Sequence, residues 1–148
     1  MPIEVHRFGS RNPAKLQELY GRIHARDVAN GETAVPLARC QAMLEDPSYF
    51  VLGARVGEAW VGRAVALTIR RWHRDKLFLY EIDVAEGFRQ RGVGTRLIEA
   101  VLAIARERGL ASTFVMTNRS NEAAMRLYRR TGARQPNGDD LLLAWWDD

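Results

Sequence analysis

The chain has 148 residues, 47% hydrophobic and 27% charged, which are ordinary values for a globular protein with one core. Its formal net charge is +4, carried almost wholly by arginine. A lone cysteine, Cys40, excludes an intrachain disulfide and a clustered-cysteine zinc site. No apolar run reaches the roughly 20 residues of a membrane span, the N-terminal residues lack a signal-peptide core, and the arginines scatter without a nucleic-acid motif. The expectations are therefore a single domain over residues 1–148, a cytoplasmic location, no metal, and neither a membrane nor a nucleic-acid partner.

Residues 3–8 alternate as an edge strand does. Ser10 is placed to cap a helix running to about Arg26, with Pro13 in its first turn, where proline is tolerated. A second helix is predicted over Val35–Glu45, between Pro36 and Pro47. Tyr49–Val56 and Ala59–Arg70 are rich in β-branched and aromatic residues, and the turn residues Gly57 and Glu58 join them as a hairpin. Lys76–Val84 is a third strand of this meander.

The period then changes from two to about 3.6. Leu97, Ile98, Val101, Leu102 and Ala105 recur on one face of a helix beginning at Gly94, and Gly109 is its stop. Thr113–Thr117 reads as a short strand and Asn121–Thr131 as a helix closed by Gly132. Leu141–Trp146 reads as a terminal strand. This order predicts an α/β protein with a mixed sheet and helices on both faces.

Arg89-Gln90-Arg91-Gly92-Val93-Gly94-Thr95 joins a strand to the long helix. A helix N-terminus offers unpaired N–H groups and a partial positive charge, and glycines let an anion come close. Arg89 and Arg91 would add charge-assisted contacts. The spacing is neither the six-residue dinucleotide fingerprint nor a P-loop.

That Arg-x-x-Gly-x-Gly turn, after the strand end Ile82-Asp83-Val84, resembles the coenzyme A-binding motif of the GNAT acetyltransferases. Asn121-Glu122-Ala123-Ala124-Met125-Arg126-Leu127-Tyr128 and the following Gly132 resemble the same superfamily's second motif, with Ala133 where a phenylalanine is frequent. The resemblance implies a mostly antiparallel central sheet flanked by helices and acetyl-CoA as acyl donor. It implies that backbone at Ile82 and Val84 pairs with the pantetheine arm, and that a backbone N–H near Val84 serves the oxyanion. It places the pyrophosphate on residues 89–95, Gln90, Gly92, Val93, Gly94 and Thr95 included, and Asn121 at the pantetheine. It makes Tyr128 the acid for the leaving thiolate, and dimers among the relatives make a homodimer an expectation.

Glu81 and Asp83, at i and i+2, share a strand face about 6–7 Å apart. With regular alternation, Leu77 and Leu79 share it, and Phe78, Tyr80, Ile82 and Val84 lie opposite; a bulge would change this. Charges in a core strand are costly unless paired or functional. One reading is a salt bridge to an arginine. The other makes Glu81 the base, directly or through water, with Asp83 adding negative potential. Tyr80-Glu81-Ile82-Asp83-Val84 resembles the Tyr-Asp-Leu-x-Val strand of the aminoglycoside 3-N-acetyltransferases, with Glu81 in place of aspartate. That resemblance implies a cationic small-molecule acceptor, acetylated at the 3-amino group, and antibiotic resistance. Asp139 and Asp140 would complete its acidic pocket, beside flat faces at Trp145 and Trp146. The alternatives are another amine (a polyamine or a protein N-terminus) and a non-catalytic acyl-CoA sensor.

Overall fold

The computed structural model describes residues 2–23, 35–139, 143 and 145. Five strands form one sheet in the order β1-β2-β3-β4-β5, where β1 is Ile3–Arg7, β2 Tyr49–Val56, β3 Ala59–Ile69, β4 Lys76–Val84 and β5 Thr113–Val115. The first three pairings are antiparallel, and β4 with β5 is parallel. This is the mixed sheet that the element order predicts, and it is mostly antiparallel as the resemblance implies.

Helix α1, Pro13–Ile23, begins later than a Ser10 cap would give. Proline disfavours helical backbone in the residue before it, so Asn12 becomes the boundary, its carbonyl accepting from the Leu16 N–H at 3.1 Å. The expected end near Arg26 lies outside the described residues. Helix α2, Leu37–Glu45, starts after an extended Pro36. Helix α3, Val93–Glu107, stops before Gly109, whose φ of +65° suits glycine. Helix α4, Glu122–Arg130, is capped by Asn121, whose Oδ1 accepts from the Ala124 N–H at 3.2 Å. The expected terminal strand lies outside the described residues except Leu143 and Trp145, both exposed.

Two apolar layers sandwich the sheet. On one face Leu16, Leu19 and Cys40, from α1 and α2, pack with Val51, Trp60 and Val65. On the other, Leu97, Ile98, Val101 and Ile104 of α3 and Tyr128 of α4 pack with Leu52, Ala64, Leu77 and Leu79. Helices on both faces are what the switch in periodicity predicts.

Two features of β4 place the site. Its pairing with β3 slips one residue: Ala66 faces Leu79 while Val65 faces Glu81, so Tyr80 is the extra residue of a bulge. This corrects the regular alternation. Leu77 and Leu79 belong to the α3 layer, Ile82 and Val84 also pack there, and Glu81 and Asp83 turn to the α1 face. The second feature is where β5 ends. Its pairing with β4 covers only Leu77–Leu79 against Thr113–Val115, so Tyr80–Val84 leaves that edge without a partner strand among the described residues.

Candidate active site

A cavity of about 370 Å³ opens where β4 and β5 part. Glu81, Asp83, Tyr80 and Ile82 of β4 line it, with Met116, Thr117 and Asn118 beyond β5, Asn121 and Tyr128 of α4, and Arg63 of β3. Backbone left unpaired inside a fold must find partners. An unpartnered strand edge over a cavity is therefore a place for an extended ligand to add itself as a strand.

The charged part of the cavity is built on Arg63, whose side chain is 1% exposed. Its guanidinium donates to Glu81 Oε2 at 2.6 Å and to Asp83 Oδ2 at 2.7 Å. It lies 4.5 Å from the Tyr20 ring centroid, and the Tyr20 hydroxyl donates to the same Glu81 oxygen at 3.2 Å. Burial is the largest cause that pushes the Tyr20 phenol up to about 12. One buried cation thus faces two carboxylates, and the cluster keeps a net negative charge. Glu81 and Asp83 are 32% and 49% exposed, so each reaches the cavity while held from behind. The salt-bridge reading of this pair is therefore realised, and it leaves one carboxylate charge uncompensated. Neither Arg63 nor Tyr20 was identified from sequence. The available signal was a single charge inside the apolar run Ala59–Ile69, on the strand next to the one carrying two carboxylates.

Tyr128 is buried at the cavity wall. Burial, and secondarily the nearby Asp83 charge, pushes its phenol above the ordinary value, so the hydroxyl holds its proton through the neutral range. Asn121 lines the cavity while its carbonyl oxygen caps α4.

The turn before α3 has the shape expected for an anion cradle. Gly92 is the N-cap residue at φ +85°, and a Cβ there would meet nothing within 4 Å. The first intrahelical bond runs from Arg96 N–H to Gly92 C=O at 3.1 Å, which leaves the Val93, Gly94 and Thr95 amides at the open end of the helix. Gln90 sits at φ +61°, a conformation rare for a non-glycine residue. Gly94 has a further role: a Cβ there would lie 2.8 Å from Leu127 Cδ2, so its absence lets α3 approach α4. Val93 is buried, 1% exposed. Arg89 Nε donates to the Val84 carbonyl at 3.2 Å, and the Arg91 guanidinium lies 5.3 Å from the Phe88 ring centroid. Open amides and the free β4 edge together fit a thioester carrier with an extended arm and a pyrophosphate.

Asp139 sits in an exposed turn, its amide bound to Asn137 Oδ1 at 3.0 Å, and it is not among the cavity-lining residues. Asp140 and Trp146 lie outside the described residues.

Comparisons with known proteins give the family and the fold. The family model described as Acetyltransferase (GNAT) family matches residues 15–133, and the chain belongs to that family. GNAT acetyltransferases use acetyl-CoA. The Xenopus laevis protein "Probable N-acetyltransferase camello" is 36% identical over 61 residues, which are 41% of this chain and 28% of that relative. This chain's match thus spans under a third of that relative's length. An aminoglycoside acetyltransferase from an uncultured soil metagenomic sample, solved with sisomicin, superposes with a TM-score of 0.85 at 17% identity, covering 99% of this chain and 95% of that one. A ribosomal-protein-alanine N-acetyltransferase from Brucella melitensis biovar Abortus 2308 gives 0.71 at 18%, covering 97% and 100%. At such identities the superpositions establish the shared fold. Among the described residues no helix is long and apolar enough to cross a membrane.

Proposed function

We propose that this chain transfers the acetyl group of acetyl-CoA directly to an amine of a small polycationic acceptor, an aminoglycoside, at its 3-amino group. The observation that carries the reading is the pair Glu81 and Asp83, held by Arg63 yet open to the cavity on the same strand whose free edge faces β5. Bound acetyl-CoA supplies an activated thioester. The Val93, Gly94 and Thr95 amides hold its pyrophosphate, and the Ile82 and Val84 backbone and Asn121 hold its arm.

The residues then divide the proton work. Glu81 and Asp83 attract the ammonium and orient it. Glu81 removes its proton, directly or through a water, because only the neutral amine has a lone pair to donate. The neutral amine would then form the C–N bond as the C–S bond breaks. Tyr128, which keeps its hydroxyl proton through the neutral range, would give it to the departing sulfur, and the proton leaving the newly acylated nitrogen would restore the phenol through water. Arg63 fixes the carboxylate geometry from behind, so the bases need no reordering when the acceptor arrives.

The test is a thiol-release assay with acetyl-CoA against aminoglycosides, polyamines and peptides bearing a free N-terminus. Aminoglycoside turnover, lowered about tenfold or more by Glu81→Gln with the acid limb of the pH profile flattened, is the expected result. Acetylation of peptides or polyamines alone would overturn the acceptor and keep the reaction class. Tight coenzyme A binding without turnover of any amine would overturn the reaction.

A further inference from the structure

The bulge at Tyr80 does more than aim the carboxylates. Tyr80 stays on the side of Phe78, with the two rings edge-to-face at 5.8 Å and 90°. Phe78 in turn stacks on Phe114 of β5 at 4.8 Å and 10°. An aromatic strip therefore runs from β5 across β4 and ends at Glu81. It is exposed: Tyr80 is 59% accessible, Phe114 38% and Met116 52%. Tyr80 and Met116 belong to the same cavity wall as Glu81 and Asp83.

We propose that the exposed Tyr80 ring, held in place by the stacked pair Phe78 and Phe114 behind it, is the stacking floor for the acceptor, and that it selects amines carried on a saturated ring over linear amines. The proposal rests on the acetyl-transfer reading of the cavity. The occupant follows from two chemistries meeting at one edge. Aromatic faces carry negative charge density and attract polarised C–H groups and ammonium groups. The neighbouring carboxylates attract the ammonium itself. A ligand satisfying both has a flat face of C–H bonds with amines at its rim, which describes an aminocyclitol or an amino sugar. A linear polyamine meets the carboxylates and leaves the strip in water. A hydrophobic peptide covers the strip but brings one ammonium.

The experiment uses the full chain and compares 2-deoxystreptamine, the two-ring aminoglycoside neamine, spermidine and an Ala-Phe-initiated peptide as acceptors. For Tyr80→Ala and Phe114→Ala the ratio of kcat/KM for neamine over spermidine should fall about tenfold or more, through KM, while coenzyme A affinity by calorimetry holds. Tyr80→Phe and Tyr80→Trp keep a ring and should restore the ratio, separating stacking from loss of fold. A ratio unchanged in both alanine variants overturns the floor. So does a ratio that favours the peptide in the wild type and falls for it in the variants. Dissociation of an oligomer by Tyr80→Ala with the ratio intact would reassign the strip to a contact between copies. Calorimetry of neamine with the protein separates the two readings. Neamine binding that weakens in Tyr80→Ala without any turnover keeps the floor and sinks acetyl transfer. Turnover of neamine with binding indifferent to Tyr80 does the reverse.

Discussion

The two ends of β4 follow different rules. From Leu77 to Leu79 the strand is paired by β3 on one edge and β5 on the other, and Leu77 and Leu79 are buried. From Tyr80 to Val84 it is paired on one edge, and its side chains include two carboxylates and an exposed tyrosine. The first end is ordinary core. The second tolerates charge because the cavity hydrates it from the front and Arg63 compensates it from behind. One bulge and one early strand ending separate the two behaviours within nine residues.

The largest expected effect breaks the paired end. Leu77 is 0% exposed, and truncation there removes a side chain from the centre of the α3 layer. Leu77→Ala should cost about 2–5 kcal/mol of stability by denaturant titration, with kcat per folded molecule nearly unchanged. A large selective loss of kcat with stability intact would show that the two ends are not separable.

Next comes the anion turn that faces the open end. Gly92→Asp introduces a side chain into empty space at the N-cap of α3, but at a φ of +85° that non-glycine residues rarely adopt, so it strains the turn by about 1 kcal/mol without a clash. The new carboxylate would lie beside the donors assigned to the pyrophosphate and repel it as a like charge. Coenzyme A affinity should fall by two orders of magnitude or more, roughly 3 kcal/mol, while Tm falls by only a few degrees and the variant stays folded. Unchanged affinity in calorimetry would remove the pyrophosphate from this turn.

Tyr128→Phe sharpens the contrast from within the cavity. The ring packs in the α3 layer and only the hydroxyl is lost. Turnover should drop roughly 10²-fold, equivalent to about 2.7 kcal/mol, with the acetyl-CoA affinity unchanged. Wild-type turnover in the variant would give the proton donor to water.

The elements were legible wherever a single period ruled. The hairpin of β2 and β3, the strand β4, and the helices α3 and α4 all fall where alternation, helical spacing and glycine stops put them, and Asn121 proves to be the cap of α4. The turn at residues 89–95 was legible as a glycine-containing strand-to-helix turn, with Gly92 at the helix N-cap, and its reading as an anion site came from the resemblance. The face of Glu81 and Asp83 was legible only as a pair. A bulge shifts the strand by one residue, and nothing local to Tyr80 announces it. Arg63 stayed hidden for a different reason. Its partners lie 18 and 20 residues away on another strand, and only the register of β3 against β4 brings them within bonding distance. Gly94 was read as an anion contact alone, yet its missing side chain also seats Leu127 of α4. Packing of that kind needs the third dimension.

The smallest effect tests whether α1 is coupled to the open end of β4. The Tyr20 ring lies beside the Arg63 guanidinium, and its hydroxyl donates to Glu81 Oε2 at 3.2 Å. Tyr20→Phe keeps the ring and removes the donor, so stability near pH 8 should fall by about 1 kcal/mol. The pH dependence separates this from a packing loss. Burial, more than any other cause, raises the Tyr20 phenol from 10.0 to about 12 in the folded protein. A group whose folded value is raised contributes stability that is complete below its unfolded value and fades as pH climbs through the folded one. Wild-type stability should hold up to about pH 10 and then fall by about 2–3 kcal/mol as pH rises to 12, more than the lead of about 1 kcal/mol at pH 8, a fall that the phenylalanine variant cannot show. In urea titrations at pH 8 and pH 11 the wild type should therefore lead at the lower pH and lose its lead at the higher. A gap that is the same at both would mean that the phenol titrates freely, and that α1 does not brace the carboxylates through it.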